Sequence, residues 1–255
     1  MYTEEQLTNL ESEEREITDE SILAMIAILA SLKSNLEMEL RNFYSKYGRD
    51  GVVTYAEARK WVGVNDRRRR LTALLIYINE HFIDLQTELT PKFKEMLEGV
   101  IGKEITFFDV NDKDITDKPL DEKWGTDDKT WLERLQDDIA LWCAVILMDV
   151  KQSLHRGSHI DMLLAQLNKR FKNMIYVLET LGLSESTAVG SISRRMIFQR
   201  LGINKYQFYT KVDERRCETC GSMHGLIFPL TAYEVGVTAS PLHPRCRCWE
   251  VPIWD

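Results

Sequence analysis

Residues 217–248 read CETCGSMHGLIFPLTAYEVGVTASPLHPRCRC and hold four of the five cysteines and two of the five histidines in the 255-residue chain. Cys217 and Cys220 form a C-x2-C-G motif, and 22 residues separate Cys220 from the H-P-x-C-x-C motif that begins at His243. Two thiolates three positions apart can bind one metal ion, and a glycine after the second can adopt the positive φ that turns backbone N–H groups toward sulfur. The two motifs therefore predict one shared metal site, with Gly221 forming the turn.

Five side chains of this segment are candidate metal ligands: Cys217, Cys220, His243, Cys246 and Cys248. Structural zinc takes four ligands in a tetrahedron, so one of the five is spare. We predict that Zn²⁺ is held by Cys217, Cys220, His243 and Cys246, with Cys248 as the substitute for Cys246. The ion is expected to be structural, because no Glu or Asp stands in an HxE or HExxH motif that could act on a bound water.

The residues around the two motifs favour this site. Arginines flank both motifs, at positions 215, 216, 245 and 247. Cations beside a thiolate lower its pKa and favour metal binding. Pro241 and Pro244 favour an extended backbone in the second motif, because the residue before a proline avoids the helical region.

Two other interpretations of the cysteines stay open: buried thiols without a metal, and an adventitious disulfide. A redox pair of the thioredoxin kind is disfavoured, because no βαβ pattern surrounds the C-x2-C motif. The first twenty residues are acidic and lack the apolar stretch of a secretory signal, so we expect synthesis in a reducing cytosol, where clustered cysteines more often bind metal. The longest apolar run, residues 22–32, is shorter than the roughly 17–25 residues that span a bilayer, and we expect no membrane partner.

The first two thirds of the chain have the apolar spacing of long amphipathic helices. Apolar residues recur every three or four positions, with one break at Lys33, at Ile22, Ile26, Leu29, Leu36, Leu40, Phe43 and Tyr47. The same spacing recurs at Leu71, Leu75, Ile78, Phe82, Leu85, Leu89 and Phe93. Similar spacing follows in 131–150 and 160–181, and a shorter helix is expected at 185–201. Thr54 and Ser158 are the predicted helix caps.

We therefore predict a mainly α protein of long amphipathic helices, with a small C-terminal zinc-stapled α+β module. The predicted parts are an N-terminal helical region (1–106), a polar connector (107–128), a second helical region (129–205) and the zinc-binding module (206–255). The net charge of −7 excludes a polycation that coats nucleic acid. The one basic run, DRRRR with Arg67 to Arg70, either contacts phosphates or an acidic protein surface, or is the solvated first turn of the next helix.

The C-terminal motifs resemble those of the phage minor head, or head-morphogenesis, proteins of the Mu F-like group. The matching positions are Asp213, Arg215, Cys217, Cys220, Gly225, Phe228, Pro241, His243, Pro244, Cys246, Arg247 and Cys248. The resemblance is specific over residues 206–252 and looser upstream. Members of the group often have Arg-Thr-Glu about thirty residues before the first cysteine, whereas this chain has Leu183, Ser184 and Glu185.

The resemblance implies a virion protein in the head interior near the portal vertex, present in the host cytoplasm during assembly. It implies a non-enzymatic role in procapsid assembly, and in DNA packaging or ejection, with the portal protein as principal partner. The major capsid or scaffold protein and phage DNA are further implied partners.

Two alternatives are kept. The first is a zinc-stapled nuclease of the HNH type with His224 as general base. The sequence speaks against it, because residues 221–240 offer only Glu234 as an accompanying carboxylate. The second alternative is a zinc-containing adaptor unrelated to phage.

Overall fold

The computed structural model describes residues 4–63, 66, 68–110 and 112–254, and most of them are helical. The helices are α1 (Glu4–Tyr47), α2 (Tyr55–Ala58), α3 (Arg70–Phe108), α4 (Lys113–Asp121), α5 (Trp131–Arg156), α6 (Ile160–Arg200) and α7 (Glu218–Met223). The strands are β1 (Lys205–Thr210), β2 (Ile227–Pro229) and β3 (Cys248–Ile253), and a 3₁₀ turn covers Leu230–Ala232. The prediction of a mainly α chain with a small C-terminal sheet is confirmed.

The chain forms two compact units that interleave along the sequence. Unit 1 contains the described residues of 1–23, 92–134 and 178–255, and unit 2 contains 24–91 and 135–177. Each of the four long helices therefore contributes one part to unit 1 and the other part to unit 2. The predicted boundaries at residues 106, 128 and 205 divide the chain into four successive regions, and that division stays a prediction.

Helix α1 buries one face at helical spacing, as its apolar pattern predicts. Its buried apolar residues from position 22 onward are Ile22, Met25, Leu29, Leu32, Leu36, Leu40, Phe43 and Tyr44. Ile26 and Tyr47, both predicted for this face, are only half-buried. For Ile26 the neighbouring Met25 takes the inward position, while Tyr47 is the last residue of the helix.

Helix α1 also contains an 18-residue window that is apolar enough, by length and composition alone, to cross a membrane. In this structure 28% of that window is buried. Its buried residues recur every three or four positions, which is the pattern of a helix packed along a protein core.

The helix ends confirm one predicted cap and correct another. Thr54 caps α2, with its side chain accepting a hydrogen bond from the Glu57 N–H. The prediction for Ser158 is wrong: the Asp161 N–H at the start of α6 donates to Nδ1 of His159 at 3.2 Å. The separate helix predicted at 185–201 is also wrong, because α6 runs without a break from Ile160 to Arg200.

The sheet of unit 1 has the order β2-β1-β3, and both pairings are antiparallel. Strand β1 lies in the centre, with Tyr206 opposite Phe228 on one side and Pro252 on the other. Tyr206 packs in the main core of this unit, where residues of α1, α3 and α6 also meet. Phe208, two residues further along the same face, packs against cysteines. Strand β1 therefore joins the helical core of unit 1 to the cysteine cluster.

Candidate metal centre

The structure brings all five predicted ligand residues together in unit 1. Cys217 and Cys220 lie at the start of α7, His243 and Cys246 lie in the loop before β3, and Cys248 is the first residue of β3. The ligand atoms form two groups, each within 4.8 Å: Cys217, Cys220 and His243, and then Cys220, Cys246 and Cys248. Cys220 belongs to both groups. The structure thus contains Cys/His groups that are close enough to bind a metal ion.

Helix α7 positions the first two sulfurs. Cys217 is the N-cap residue, with extended backbone (φ −76°, ψ 162°), and its Sγ accepts a hydrogen bond from the Cys220 N–H at 3.3 Å. The expectation that Gly221 forms a positive-φ turn is wrong, because Gly221 lies inside α7. Helical geometry places Cys220 one turn after the cap, so the helix itself directs both sulfurs and a backbone N–H to the same point.

The loop before β3 orients the imidazole of His243. Its Nδ1–H donates to the carbonyl oxygen of Pro244 at 2.9 Å. This hydrogen bond leaves Nε2 as the acceptor, and Nε2 lies 3.2 Å from the sulfurs of both Cys217 and Cys220. A backbone partner of this kind fixes the tautomer of a ligating histidine.

Three of the distances between the donor atoms can be compared with those around a tetrahedral metal ion. Tetrahedral zinc with Zn–S of about 2.3 Å and Zn–N of about 2.1 Å separates two sulfurs by about 3.8 Å, and a sulfur from a nitrogen by about 3.6 Å. The sulfurs of Cys220 and Cys246 are 3.7 Å apart, and the sulfur-to-Nε2 distances are 3.2 Å. All five cysteines of the chain are free thiols. The sulfurs of Cys220 and Cys246 are also far outside the roughly 2.05 Å of a disulfide.

The thiols of the cluster have divergent pKa values in the absence of an ion. The hydrogen bond from the Cys220 N–H lowers the pKa of Cys217. The hydrogen bond from the Cys248 thiol lowers the pKa of Cys246 to about 6, and donating it raises the pKa of Cys248. Burial, followed by the charge of Cys246, raises the pKa of Cys220 to about 12. One thiolate therefore keeps its buried neighbours protonated, and a divalent cation would relieve that repulsion and release protons.

Helix α6 holds the second half of the cluster in place. Arg245 has a positive φ of 59°, and its backbone N–H donates to Oγ of Ser184 at 3.1 Å. Its Nε donates to Oγ1 of Thr180 at 2.8 Å, and its Nη2 donates to Oε2 of Glu179 at 3.1 Å. Oγ1 of Thr187 donates to the carbonyl of Cys246 at 3.3 Å. The arginine predicted to lower a thiol pKa thus fixes the loop to α6.

Arg247 attaches the loop after β1 to β3. Its guanidinium forms two hydrogen bonds to the carboxylate of Asp213, at 2.5 and 2.6 Å. These bonds lower the pKa of Asp213 to about 2. The loop that carries Asp213 leads into Cys217, so the ion pair holds the two halves of the cluster together.

A buried ionic cluster lies in the same unit, and the sequence analysis missed it. Arg194, which is 4% exposed, lies 2.9 Å from a carboxylate oxygen of Glu14, 2.5 Å from Glu104 and 3.7 Å from Glu250. Burial raises the pKa of Glu104 well above its ordinary value, and the charge of Glu14 adds to the effect. Glu104 stands four residues after Val100 and four before Phe108, which are both buried. The spacing that places a charged residue between two buried apolar residues is the sequence feature that could have indicated a buried ion pair.

Strand β3 joins this ionic cluster through Glu250. Its carboxylate accepts hydrogen bonds from the Ser240 N–H at 2.6 Å, the Tyr233 hydroxyl at 3.0 Å and the Ser191 hydroxyl at 3.1 Å. Ser240 stands three residues before His243, and Glu250 two after Cys248. The ionic cluster therefore positions both ends of the segment that carries His243, Cys246 and Cys248.

Glu185 also has an arginine partner. It is 1% exposed and accepts hydrogen bonds from Nη1 of Arg134 at 2.7 Å and from Nε1 of Trp124 at 2.9 Å. Leu183 occupies the position where the resembling proteins often have arginine. A guanidinium still reaches Glu185, but it comes from α5.

His224 follows α7, and its backbone N–H donates to the carbonyl of Cys220 in the cluster. Its Nδ1 accepts a hydrogen bond from the Thr210 N–H at 3.2 Å, and its ring packs edge-on against Tyr209 with centroids 4.6 Å apart. This nitrogen is therefore engaged with the backbone of β1.

The comparison with known families covers the part of the chain that builds this centre. Residues 144–251 match the family described as Phage Mu protein F like protein. Over these residues the chain is similar to the Mu F-like proteins of the phage head. The matched part starts within α5, includes all of α6 and the cysteine cluster, and ends in β3. No curated protein and no solved structure matches the chain significantly.

The Mu F-like match confirms the resemblance drawn from the cysteine motifs. The family indicates a structural protein of the phage head, located in the virion head and in contact with other head components. This role also disfavours the adaptor unrelated to phage.

Proposed function

We propose that the protein is a non-enzymatic minor head protein that binds the portal and takes part in procapsid assembly. In this role it lies in the head interior near the portal vertex, after a period in the host cytoplasm during assembly. The major capsid or scaffold protein and phage DNA are its further partners, with DNA met during packaging or ejection. The single observation that carries the proposal is the Mu F-like match, which spans the whole cysteine cluster.

The proposal assigns the cluster to one structural Zn²⁺ held by Cys217, Cys220, His243 and Cys246. The donor set supports zinc, because thiolates together with a neutral imidazole are the usual ligands of structural zinc. Cys248 is the spare thiol, since the hydrogen bond to Cys246 raises its pKa and favours its protonated form. Bound zinc would contribute folding free energy to the loops that carry its ligands.

The docking surface proposed for the portal is the edge of the sheet next to the cluster. Strand β2 pairs only with β1 in the described sheet. Ile227, the first residue of β2, is 58% exposed, and Leu226 before it is 46% exposed. An exposed strand edge with apolar side chains is a common site of strand addition and apolar docking. The metal would hold this edge rigid, because α7 connects Cys217 and Cys220 to the turn before β2.

Co-purification with the portal protein of the same phage tests the proposal. The zinc-loaded chain is expected to retain the portal, whereas the chelated chain and Cys220→Ser lose most of it. Cys143→Ser is the matched control, since Cys143 belongs to unit 2 and donates to Asn79 rather than to a cysteine or histidine of the cluster. Absence of capture by the zinc-loaded chain would refute portal binding. Undiminished capture after zinc removal would refute the role of the metal in docking.

The nuclease alternative is tested separately with a nicking assay in Mg²⁺. We expect no cleavage, because Nδ1 of His224 accepts a backbone hydrogen bond, which places the proton of the neutral ring on Nε2 and leaves neither nitrogen free to accept a proton. Cleavage that His224→Ala abolishes would overturn the non-enzymatic assignment.

A further inference from the structure

Unit 2 contains a concentrated positive charge in an acidic protein. Residues 41–70 include nine Lys or Arg residues and three Asp or Glu residues, whereas the whole chain has a net charge of −7. The rest of the chain is therefore strongly acidic. Charge asymmetry of this kind directs a polyanion to one surface and repels it from the others.

The described part of this segment folds into a paired loop. Trp61 and Arg69 form an isolated antiparallel bridge. The Val62 N–H donates to the Arg68 carbonyl at 3.0 Å, and the Arg70 N–H donates to the Lys60 carbonyl at 2.9 Å. We call residues 59–62 and 68–70 the basic loop. Arg67 lies outside the described residues.

Two arginines of the basic loop each lie beside an aromatic ring. The guanidinium of Arg69 lies 5.8 Å from the ring centre of Trp61, whose side chain is 59% exposed. The guanidinium of Arg59 lies 5.7 Å from the ring of Tyr55, and Tyr55 stacks on His155 with centroids 3.7 Å apart. An exposed tryptophan held beside an arginine presents both a flat apolar face and a positive charge.

Some of the described cations in residues 41–70 form ion pairs with carboxylates, and others do not. Lys60 and Arg70 pair with Glu57 at 2.5 and 2.9 Å, and Arg68 pairs with Asp66 at 2.9 Å. By contrast, no carboxylate of the described residues pairs with Arg49, Arg59 or Arg69. Arg59 and Arg69 are also exposed, so a ligand can reach them.

We propose that the basic loop is a nucleic-acid contact surface, on which Arg59 and Arg69 bind backbone phosphates and Trp61 stacks on a base. Nucleic acid fits better than an acidic protein, because a base offers the π-face that an exposed tryptophan beside arginine recognises. The inference rests on the proposed function for its setting, since a head protein shares its compartment with phage DNA. It locates that contact in unit 2, on residues distinct from the metal centre.

Fluorescence anisotropy with the full-length, zinc-loaded protein tests this surface. The probes are a labelled duplex and a labelled single strand of DNA, each titrated at salt concentrations from about 50 to about 200 mM. Each phosphate contact contributes about 0.9 to the slope of log K against log salt on duplex DNA. Arg59→Ala/Arg69→Ala is therefore expected to reduce the slope by about 1.8, so that its affinity falls about tenfold less than wild type across this range.

Lys169→Ala/Lys172→Ala is the matched control, because it removes the same charge from exposed positions on α6 in unit 2. It is expected to keep the slope of the wild type. Trp61→Ala is expected to weaken the single-strand complex about fivefold or more and the duplex complex less, since only unpaired bases expose their faces. Unchanged melting temperatures would show that all three variants are folded.

Three results would overturn the proposal. These are wild-type DNA affinity in Arg59→Ala/Arg69→Ala, equal losses in that variant and the lysine control, and competition by polyglutamate as effective as competition by DNA at equal charge. The last result would assign the surface to an acidic protein. Failure here is distinguishable from failure of the portal assignment, because the arginine variant leaves the metal centre intact and is still expected to capture the portal.

Discussion

Removal of the buried arginine of unit 1 should destabilise the protein far more than removal of its neighbour. Arg194 is 4% exposed and has three carboxylates within 4.0 Å. Arg195 is more exposed, and its one carboxylate partner among the described residues is Glu122, which is 28% exposed. Breaking a buried ion pair by removing one partner costs about 3–5 kcal/mol, and an exposed pair contributes about 0–1 kcal/mol. We therefore expect Arg194→Met to lower the free energy of unfolding by about 3–5 kcal/mol and Arg195→Met by at most about 1 kcal/mol.

Urea denaturation at neutral pH, followed by circular dichroism, measures both variants on the zinc-loaded chain. At two to four degrees per kcal/mol for a chain of this size, Arg194→Met should melt about 6–20 °C below wild type. The deficit should shrink on acidification, because protonation neutralises the carboxylates that have lost their partner. Equal destabilisation by the two variants would refute the conclusion that Arg194 stabilises the fold by pairing with the buried carboxylates around it.

Three further predictions concern Cys248, Glu104 and Gly51. Cys248→Ser should retain zinc whereas Cys220→Ser releases it, as measured by metal content after gel filtration; zinc loss in Cys248→Ser would make that residue a ligand. The pKa of Glu104 is raised in the folded state, so the folded state keeps a proton that the unfolded state loses at lower pH. The free energy of unfolding of the wild type should therefore fall as pH rises above the unfolded pKa, by up to about 1.4 kcal/mol per pH unit, until the pH passes the folded pKa. Glu104→Gln should lack this fall in denaturation at several pH values, and an identical pH profile would contradict it. Gly51→Ala should lower the melting temperature, because φ at this position is +73° and the new Cβ would lie 2.1 Å from Nε2 of His159. An unchanged melting temperature would contradict this prediction.

The long helices and the convergence of the Cys and His motifs could be predicted from the sequence, whereas the cap of α6, the backbone at Gly221 and the pairing of buried charges could not. Apolar spacing predicts the four long helices, and the Cys and His motifs predict which side chains meet. Thr54 caps its helix as expected, because a capping box depends on residues three positions apart. These predictions succeed because each depends on spacing within one element, or on donors of unmistakable chemistry.

The interleaving of the two units depends on contacts between distant segments. The hydroxyl of Thr18 donates to Ser186 at 3.0 Å across 168 residues, and Glu14 pairs with Arg194 across 180. Charged residues such as Glu104 and Arg194 are ordinarily assigned to the surface, and only the fold shows that each faces the other. The attachment of Arg245 to α6 could not be predicted for the same reason, because its partners Thr180 and Ser184 are distant in sequence.

The metal content of the native chain tests the central claim most directly. Native mass spectrometry of protein purified without added metal is expected to show one zinc ion per chain, lost in Cys217→Ser and kept in Cys143→Ser. In the same sample, the thiols of the cluster should resist alkylation until the metal is chelated. A folded, metal-free chain whose cluster cysteines react freely would contradict the account.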